Sequence, residues 1–302
     1  MSNPRRKFSD TLVNGLATGL LKGALKLPYR TRVRFVGGVV CRVIAPLAGW
    51  NKRIRANLAH VQPDLPAATV ERIVKGCTRN AGRTLIEIYS GAELAQRAQD
   101  LPLEGPGAED LEAAHKAGKS VILVTGHFGN YDVARAALIA RGYNLGALYR
   151  PMSNEAFNAH YVEAISSIGK PVFPSDRKGF VDLLKFIRSD AMAAFLIDIY
   201  AEPGAPTTYF GQPAPTATSA ADLALKYNAA LIPIYGIRQA NGFDFKIVVD
   251  EPIPHSDPVT MTQGLNDSLE AHVRNHMEQW FWIHRRWKPE RQRALAAAKM
   301  GP

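Results

Sequence analysis

Ser120-Val121-Ile122-Leu123-Val124-Thr125-Gly126-His127-Phe128-Gly129-Asn130-Tyr131-Asp132 runs from a continuous apolar segment straight into a turn punctuated by glycine. An unbroken apolar run of this length, without polar alternation, predicts a strand buried on both faces, the pattern of a parallel sheet covered by helices. Outward from it the pattern keeps alternating. A helix is expected over 133–141, closed by Gly142, then a strand at 145–149, a helix over 155–168 and a short strand at 171–173. A helix over 179–188, a buried strand at 193–199, a helix over 219–228 and a strand at 230–237 come next. A hairpin marked by Gly242 leads into 245–249, and a last helix covers about 261–280. Strand–helix alternation of this kind gives an α/β fold with a mostly parallel central sheet flanked by helices.

The chain before this region reads differently. Residues 68–98 read as one long helix, and 12–27 carry Leu12, Val13, Leu16, Ala17, Leu20, Leu21, Ala24 and Leu25 on one helical face. Lys22 and Lys26 fall on the other face, and Pro28 ends the helix. This run is too short and too interrupted to span a bilayer, but a basic amphipathic helix is suited to lying in the interface. Packing against the protein's own core is the alternative. A second apolar stretch, 35–50, comes after Arg30, Arg32 and Arg34. The expected division is a helical, membrane-associating segment over 1–60 and an α/β domain over 61–302.

Charge supports that division. Of the net +10, residues 1–60 hold twelve Lys or Arg against Asp10, and six basic residues from Arg285 onward stand against Glu290, so the centre is mildly acidic. Basic ends attract polyanions. Lys and Arg interleaved with Leu, Val and Ala, with few stacking aromatics and no zinc-finger or RNA-recognition signature, favour an anionic membrane surface over nucleic acid. Arg5-Arg6-Lys7-Phe8 has the look of a twin-arginine export signal, but Asn14, Gly15, Gly19, Lys22 and Lys26 interrupt the apolar run behind it, and export is not expected. Cys41 and Cys77 form no metal or redox motif and are expected to be reduced thiols.

His127 is the candidate centre. It lies just past the carboxyl end of a buried strand, where open α/β sheets bind ligands. Asp132, five residues on, can meet it only if the chain turns between them, and Gly126 and Gly129 supply that freedom. Asp132 would then hold one ring nitrogen while the other takes a proton from a hydroxyl, which attacks a thioester carbonyl directly. The chain has no Gly-x-Ser-x-Gly nucleophile elbow. Arg150, at another strand end, suits an oxyanion or a phosphate; Arg177 and Lys178 suit an anionic substrate group. Asp198 ends a buried strand, where a lone carboxylate is costly, and pairing with Arg150 or His127 would account for it. Thr216, Thr218 and Ser219 read mainly as a helix cap. His284-Arg285-Arg286 reads as a basic cluster for a phosphorylated acceptor or a carrier, or as surface charge. His272 and His276 lack the Glu and third ligand of a zinc helix, and no metal is expected.

Leu27-Pro28-Tyr29-Arg30, Asn57-Leu58, Gly126 to Asp132, Tyr149-Arg150-Pro151, Asp176-Arg177-Lys178, Asp198, Tyr209-Phe210-Gly211 with Pro213-Ala214 and Thr216, and the run Gln279 to Lys288 occur in this order. Taken together they resemble the bacterial lipid A biosynthesis acyltransferases, the lauroyl and myristoyl transferases with an H-x4-D motif. The resemblance implies His127 as base and Asp132 as its acidic partner. It further implies an acyl-carrier-protein or CoA thioester donor, a lipid hydroxyl acceptor, no cofactor, and work at the cytoplasmic face of the inner membrane. Secondary acylation of a lipid A precursor is the expected reaction. Two positions depart from the family: Ile199-Tyr200 comes after Asp198 where a polar residue and an Asp are usual, and Ser166-Ser167-Ile168-Gly169 replaces arginines. Both remove polar or cationic groups from the acceptor side, so O-acylation of a lyso-aminolipid or another lysolipid is the alternative. A non-catalytic protein of the membrane surface and a charge-driven nucleic-acid binder are the readings outside that class.

Overall fold

The computed structural model describes residues 15, 18–152, 154–292 and 294. The basic stretch at 5–7 and the first part of the 12–27 ladder lie outside the described residues. In chain order the elements are α1 (18–25), α2 (Tyr29–Val39), a π-helical turn (Val40–Ile44), α3 (Ala45–Leu47), α4 (Trp50–Val61), α5 (Ala67–Tyr89) and α6 (Gly91–Ala98). Next come β1 (Leu103–Glu104), α7 (Ala108–Lys116), β2 (Val121–Thr125), α8 (Tyr131–Ala140), β3 (Leu145–Tyr149), α9 (Glu155–Ile168), β4 (Val172–Pro174), α10 (Arg177–Ile187) and β5 (Met192–Leu196). The short strands β6 (Thr208–Tyr209) and β7 (Gln212–Pro213) precede α11 (Ser219–Tyr227), β8 (Ala230–Arg238), β9 (Phe245–Val249), α12 (Pro258–Asn275) and a 3-10 turn (Met277–Gln279).

Seven strands form one sheet in the order β1-β9-β8-β2-β5-β3-β4. Its pairs are parallel except for the β8–β9 hairpin. The apolar run of β2 is explained by its place. Val121 and Leu123 face a core made with α6, α8 and α9, while Ile122 and Val124 face another made with α10, α11 and α12. A strand wetted on neither side has no use for polar alternation. From β2 the chain crosses to β3 on one side, and β8 lies on the other, so the crevice beyond the carboxyl ends of β2 and β5 is a switch point of the topology.

A third core caps that end of the sheet. Ile54 and Leu58 of α4, Ile73, Val74 and Cys77 of α5, Phe128, Tyr209, and the returning Trp280, Trp282 and Trp287 pack together. The long helix expected over 68–98 is broken at Ser90, whose hydroxyl turns back to the Ile86 carbonyl at 2.7 Å and accepts from Arg32 Nε at 3.0 Å. Gly91 then opens α6, pressed so closely on Ser167 that a Cβ would stand 1.8 Å from its Oγ. Glu87 of α5 and Arg238 of β8 form a buried two-pronged ion pair, at 2.5 and 2.7 Å, which ties the helical layer to the sheet.

Within the described part of the N-terminal ladder, Leu21 and Ala24 are buried against Tyr29, Val33 and Val36. That portion of the apolar face is therefore covered by the protein itself. Outward-facing apolar side chains appear further on instead: Phe35, Val43 and Leu47 are exposed, Leu47 to 84%. Arg30, Arg34 and Arg42 are exposed on the same stretch. Among the described residues no single helix is long and apolar enough to cross a membrane; the bent pair Tyr29–Leu47 and Trp50–Val61, at 82°, meets the length and composition only when taken together.

Candidate active site

Strand register brings the site together. Thr125 of β2 stands beside Leu196 of β5, and two residues past each lie His127 and Asp198. His127 Nδ1 is 2.8 Å from Asp198 Oδ1, and the His127 backbone N–H donates to Oδ2 at 2.8 Å. Trp280 Nε1 donates to the same Oδ2 at 2.8 Å. The Asp198 side chain is fully buried, and that of His127 is 26% exposed. Burial pulls the Asp198 carboxyl upward, but the charge and hydrogen bonds of His127 outweigh it and hold the group well below the usual carboxylate range. An ionised Asp198 fixes the proton of His127 on Nδ1 and leaves the Nε2 lone pair for a substrate.

The turn carrying His127 is clamped on every side. Gly129 adopts φ +56°, and a Cβ there would stand 1.9 Å from the Gly236 carbonyl, so only glycine fits. Its carbonyl accepts from Asn80 Nδ2 at 2.9 Å and Thr84 Oγ1 at 2.8 Å, and its N–H donates to the Gln279 carbonyl at 3.1 Å. Asn130 caps α8, accepting from the Asp132 N–H at 3.0 Å while its amide donates to Glu87 at 2.9 Å. Gly126 is required for room and not for φ: a Cβ there would meet Leu269 at 2.6 Å and Asp198 Cγ at 3.2 Å. The returning C-terminal segment closes the loop, with the Phe281 N–H donating to the His127 carbonyl at 2.9 Å.

The expected His127–Asp132 bond is corrected by this geometry. Asp198 occupies Nδ1, whereas Asp132 Oδ1 accepts from Arg135 Nε at 2.7 Å in a buried i,i+3 pair. Arg135 also donates to the carbonyls of Ile165 and Gly169, at 2.9 and 3.0 Å. A turn that reverses direction through Gly129 sets Asp132 in the first turn of α8, where Arg135 is its helical neighbour.

His127 opens onto a cavity of about 480 Å³. Its walls are mostly apolar, including Trp50, Leu85, Leu148, Phe195 and Ile199, with Asp132 and Arg150 among its polar residues. Arg150 is exposed. Arg177 and Lys178 are exposed at the start of α10, two and three residues past the cavity-lining Ser175, and Asp176 caps that helix by accepting from the Gly179 N–H at 2.8 Å. Of the two departures, Ile199 lines the cavity, while Gly169 is engaged with Arg135.

The cluster 284–286 is split: Arg285 is exposed, whereas its two neighbours turn inward. Arg286 is fully buried and donates to Pro215 O at 3.1 Å and Thr216 Oγ1 at 2.7 Å, so Thr216 serves this packing and not a cap. His284 stands edge-on to His127, ring centroids 4.4 Å apart. Burial and then the charge of His127 push its imidazole down to about 3, so it is neutral near pH 7. Asn57 holds this segment through the carbonyls of Trp282 and His284, at 2.8 and 2.9 Å. His284, Trp280 and Asn57 all lie in stretches that carry the family resemblance, but their meeting at His127 depends on how the chain returns. His272 is bonded to Asp250 at 3.0 Å, away from this site.

A histidine fixed by a buried carboxylate, with its other nitrogen on an apolar cavity, has the geometry to take a proton from a substrate that carries hydrocarbon parts. The chain belongs to the bacterial lipid A biosynthesis acyltransferase family, whose model matches residues 4–289, and it is an acyltransferase. It is similar to a phosphatidylinositol mannoside acyltransferase of Mycobacterium tuberculosis, 24% identical over 79% of this chain and 78% of that protein. A lipid A biosynthesis acyltransferase of Haemophilus influenzae is 21% identical over 85% of this chain and 81% of its own length. The lipid A biosynthesis lauroyltransferase of Escherichia coli is 21% identical over 93% and 95%.

Proposed function

We propose that this protein is a membrane-surface O-acyltransferase that moves a fatty acyl chain from a carrier-protein or CoA thioester to the hydroxyl of a membrane lipid, a lipid A precursor first among the acceptors. The observation that carries the reading is the His127–Asp198 pair, 2.8 Å apart, at the wall of an apolar cavity of about 480 Å³. His127 Nε2 takes the hydroxyl proton as the oxygen attacks the thioester carbonyl. The C–O bond forms, the C–S bond breaks, and the proton passes from His127 to the departing thiolate. The imidazolium formed in between is stabilised by Asp198. No acyl-enzyme arises, since no serine or cysteine nucleophile is needed.

Asp132 acts on this reading by holding α8 through Arg135, and Arg150 is a cation for a phosphate of donor or acceptor. The exposed Phe35, Val43 and Leu47 with Arg30, Arg34 and Arg42 support binding to an anionic lipid surface, which on this reading is the cytoplasmic face of the inner membrane. The similarity to a phosphatidylinositol mannoside acyltransferase favours a second acceptor, a mannosylated phospholipid; Ile199 on the cavity wall suits a lipid less charged than bisphosphorylated lipid A. Lipid mass spectrometry of a deletion strain decides among them. Loss of one acyl chain from lipid A supports the first acceptor, loss from another glycolipid or lysolipid supports the second class, and an unchanged lipidome contradicts the proposal.

A further inference from the structure

We propose that His284 is a second catalytic group of this site, giving an imidazole N–H to the thioester carbonyl oxygen as it becomes an oxyanion. The inference rests on the reading of His127 as the base. A tetrahedral intermediate needs hydrogen-bond donors at its oxygen, and the backbone beside the nucleophilic centre is their usual source. Over 127–130 that source is already used. The His127 N–H is bonded to Asp198, that of Phe128 to Gly126 O, that of Gly129 to Gln279 O and that of Asn130 to Gly236 O. Most side-chain donors around the turn are engaged as well: Trp280 Nε1 with Asp198, the Asn80 amide with Gly129 O, and the Gln279 amide with Arg238 O; besides His284, the Thr125 hydroxyl on the same cavity has no partner among the described residues.

Of these two, His284 is the one whose ring stands directly against the base. Its ring lines the cavity in edge contact with His127, yet its Nε2 is buried and has no hydrogen-bond partner among the described residues. A buried polar atom left without a hydrogen bond is destabilising, and such a cost persists where a ligand is to satisfy it. The ring is also held in place. Asn57 grips the carbonyl of His284, the His284 backbone N–H donates to Phe281 O at 3.1 Å, and the His284 ring packs at a tilt on Phe281 with centroids 4.6 Å apart. A pre-set donor of this kind spends nothing on reorganisation when charge develops.

Neutrality is what the role needs. An imidazolium beside His127 would oppose the charge that His127 gains on taking the proton, whereas a neutral imidazole polarises a carbonyl and keeps its own proton. The negative charge grows on the carbonyl oxygen, His284 donates to it without transferring the proton, and the bond relaxes as the C–S bond breaks. Arg150, exposed at the cavity, is then left for the phosphates.

The test uses the full-length enzyme with lauroyl-CoA or palmitoyl-CoA and vesicles made from the lipid extract of the deletion strain. His284→Phe keeps a ring without a donor, His284→Gln keeps an N–H, and His127→Ala is the reference for loss of the base. His284→Phe is expected to lower kcat by about 10²- to 10³-fold. The thioester KM should stay within about threefold and the acid limb of the pH–rate profile should not move. His284→Gln is expected to recover at least about tenfold of that loss. An unchanged kcat, a loss confined to KM, or a glutamine variant no better than phenylalanine overturns the inference. Should His284→Phe fold poorly, the pair His284→Gln and His284→Met carries the same comparison. An active His127→Ala would instead overturn the reading beneath it, and an inactive His127→Ala beside a fully active His284→Phe overturns the role of His284 alone.

Discussion

Replacing Asp198 by Asn separates the two carboxylates that border this site. The side chain accepts three hydrogen bonds, from His127 Nδ1, the His127 backbone and Trp280 Nε1, each 2.8 Å long. An asparagine can turn its amide oxygen to the backbone N–H and the indole and so keep two of them. Its NH₂ then faces Nδ1, which must become an acceptor, and the imidazole proton moves to Nε2, where the base is needed. The fold is retained and the base is blocked. The comparable tautomer inversion in serine proteases lowers kcat by about 10⁴-fold, so a loss of about 10³- to 10⁴-fold is expected, or roughly 4–5.5 kcal/mol of barrier. Asp132→Asn has the opposite signature. It leaves the buried Arg135 without its carboxylate at 2.7 Å. That costs about 3–5 kcal/mol of stability. The kcat of the folded fraction should stay within about tenfold. Steady-state kinetics on vesicles beside urea unfolding of the same samples reads both. An Asp198→Asn enzyme of near-normal kcat, or an Asp132→Asn enzyme that loses turnover at unchanged stability, refutes the assignment.

Gly129→Ala forces a Cβ into the Gly236 carbonyl at φ +56°, and kcat and melting temperature should fall together because the turn that aims His127 cannot survive the shift. His284, pushed down to about 3 in the folded state, is protonated more readily in the unfolded chain. Its contribution to stability is therefore complete above about pH 6.5 and is lost as pH falls toward 3, at up to about 1.4 kcal/mol per pH unit. Urea midpoints measured between pH 4 and 7 should rise with pH, and less steeply in His284→Gln. Leu47→Asp with Phe35→Asp should weaken sedimentation with anionic vesicles while acyl transfer to detergent-solubilised lipid is unaffected; unchanged vesicle binding would remove this surface from the account.

Local pattern makes most of the sheet legible. The strand at 145–149, the helix at 155–168 and the strand at 245–249 coincide with β3, α9 and β9, because strands buried on both faces and helices with capping residues such as Asn154 announce themselves within a few residues. The pattern over 68–98 gives no warning of the helix break, since Ser90 and Gly91 are turned aside by Arg32 and Ser167, which arrive from elsewhere in the chain. The site is half legible. His127 and Asp198 each stand out as a polar residue at the end of an apolar strand, but choosing Asp198 over the nearer Asp132 requires knowing that β2 and β5 are neighbours and in what register. His284 stands out in sequence only as one member of a basic cluster, with nothing to tie it to His127. Its neighbours in sequence, Arg285 and Arg286, suggest surface charge, and only the return of the C-terminal segment under the turn of His127 buries it.

The most direct test of the account is acyl transfer by His127→Ala beside the wild-type enzyme, with intact-protein mass spectrometry of both during turnover. The account predicts a folded variant whose transfer to the lipid hydroxyl falls by at least about 10³-fold, and a wild-type enzyme whose mass never gains an acyl group. A His127→Ala enzyme that still transfers at a comparable rate, or an acylated enzyme that forms and decays with turnover, would contradict it.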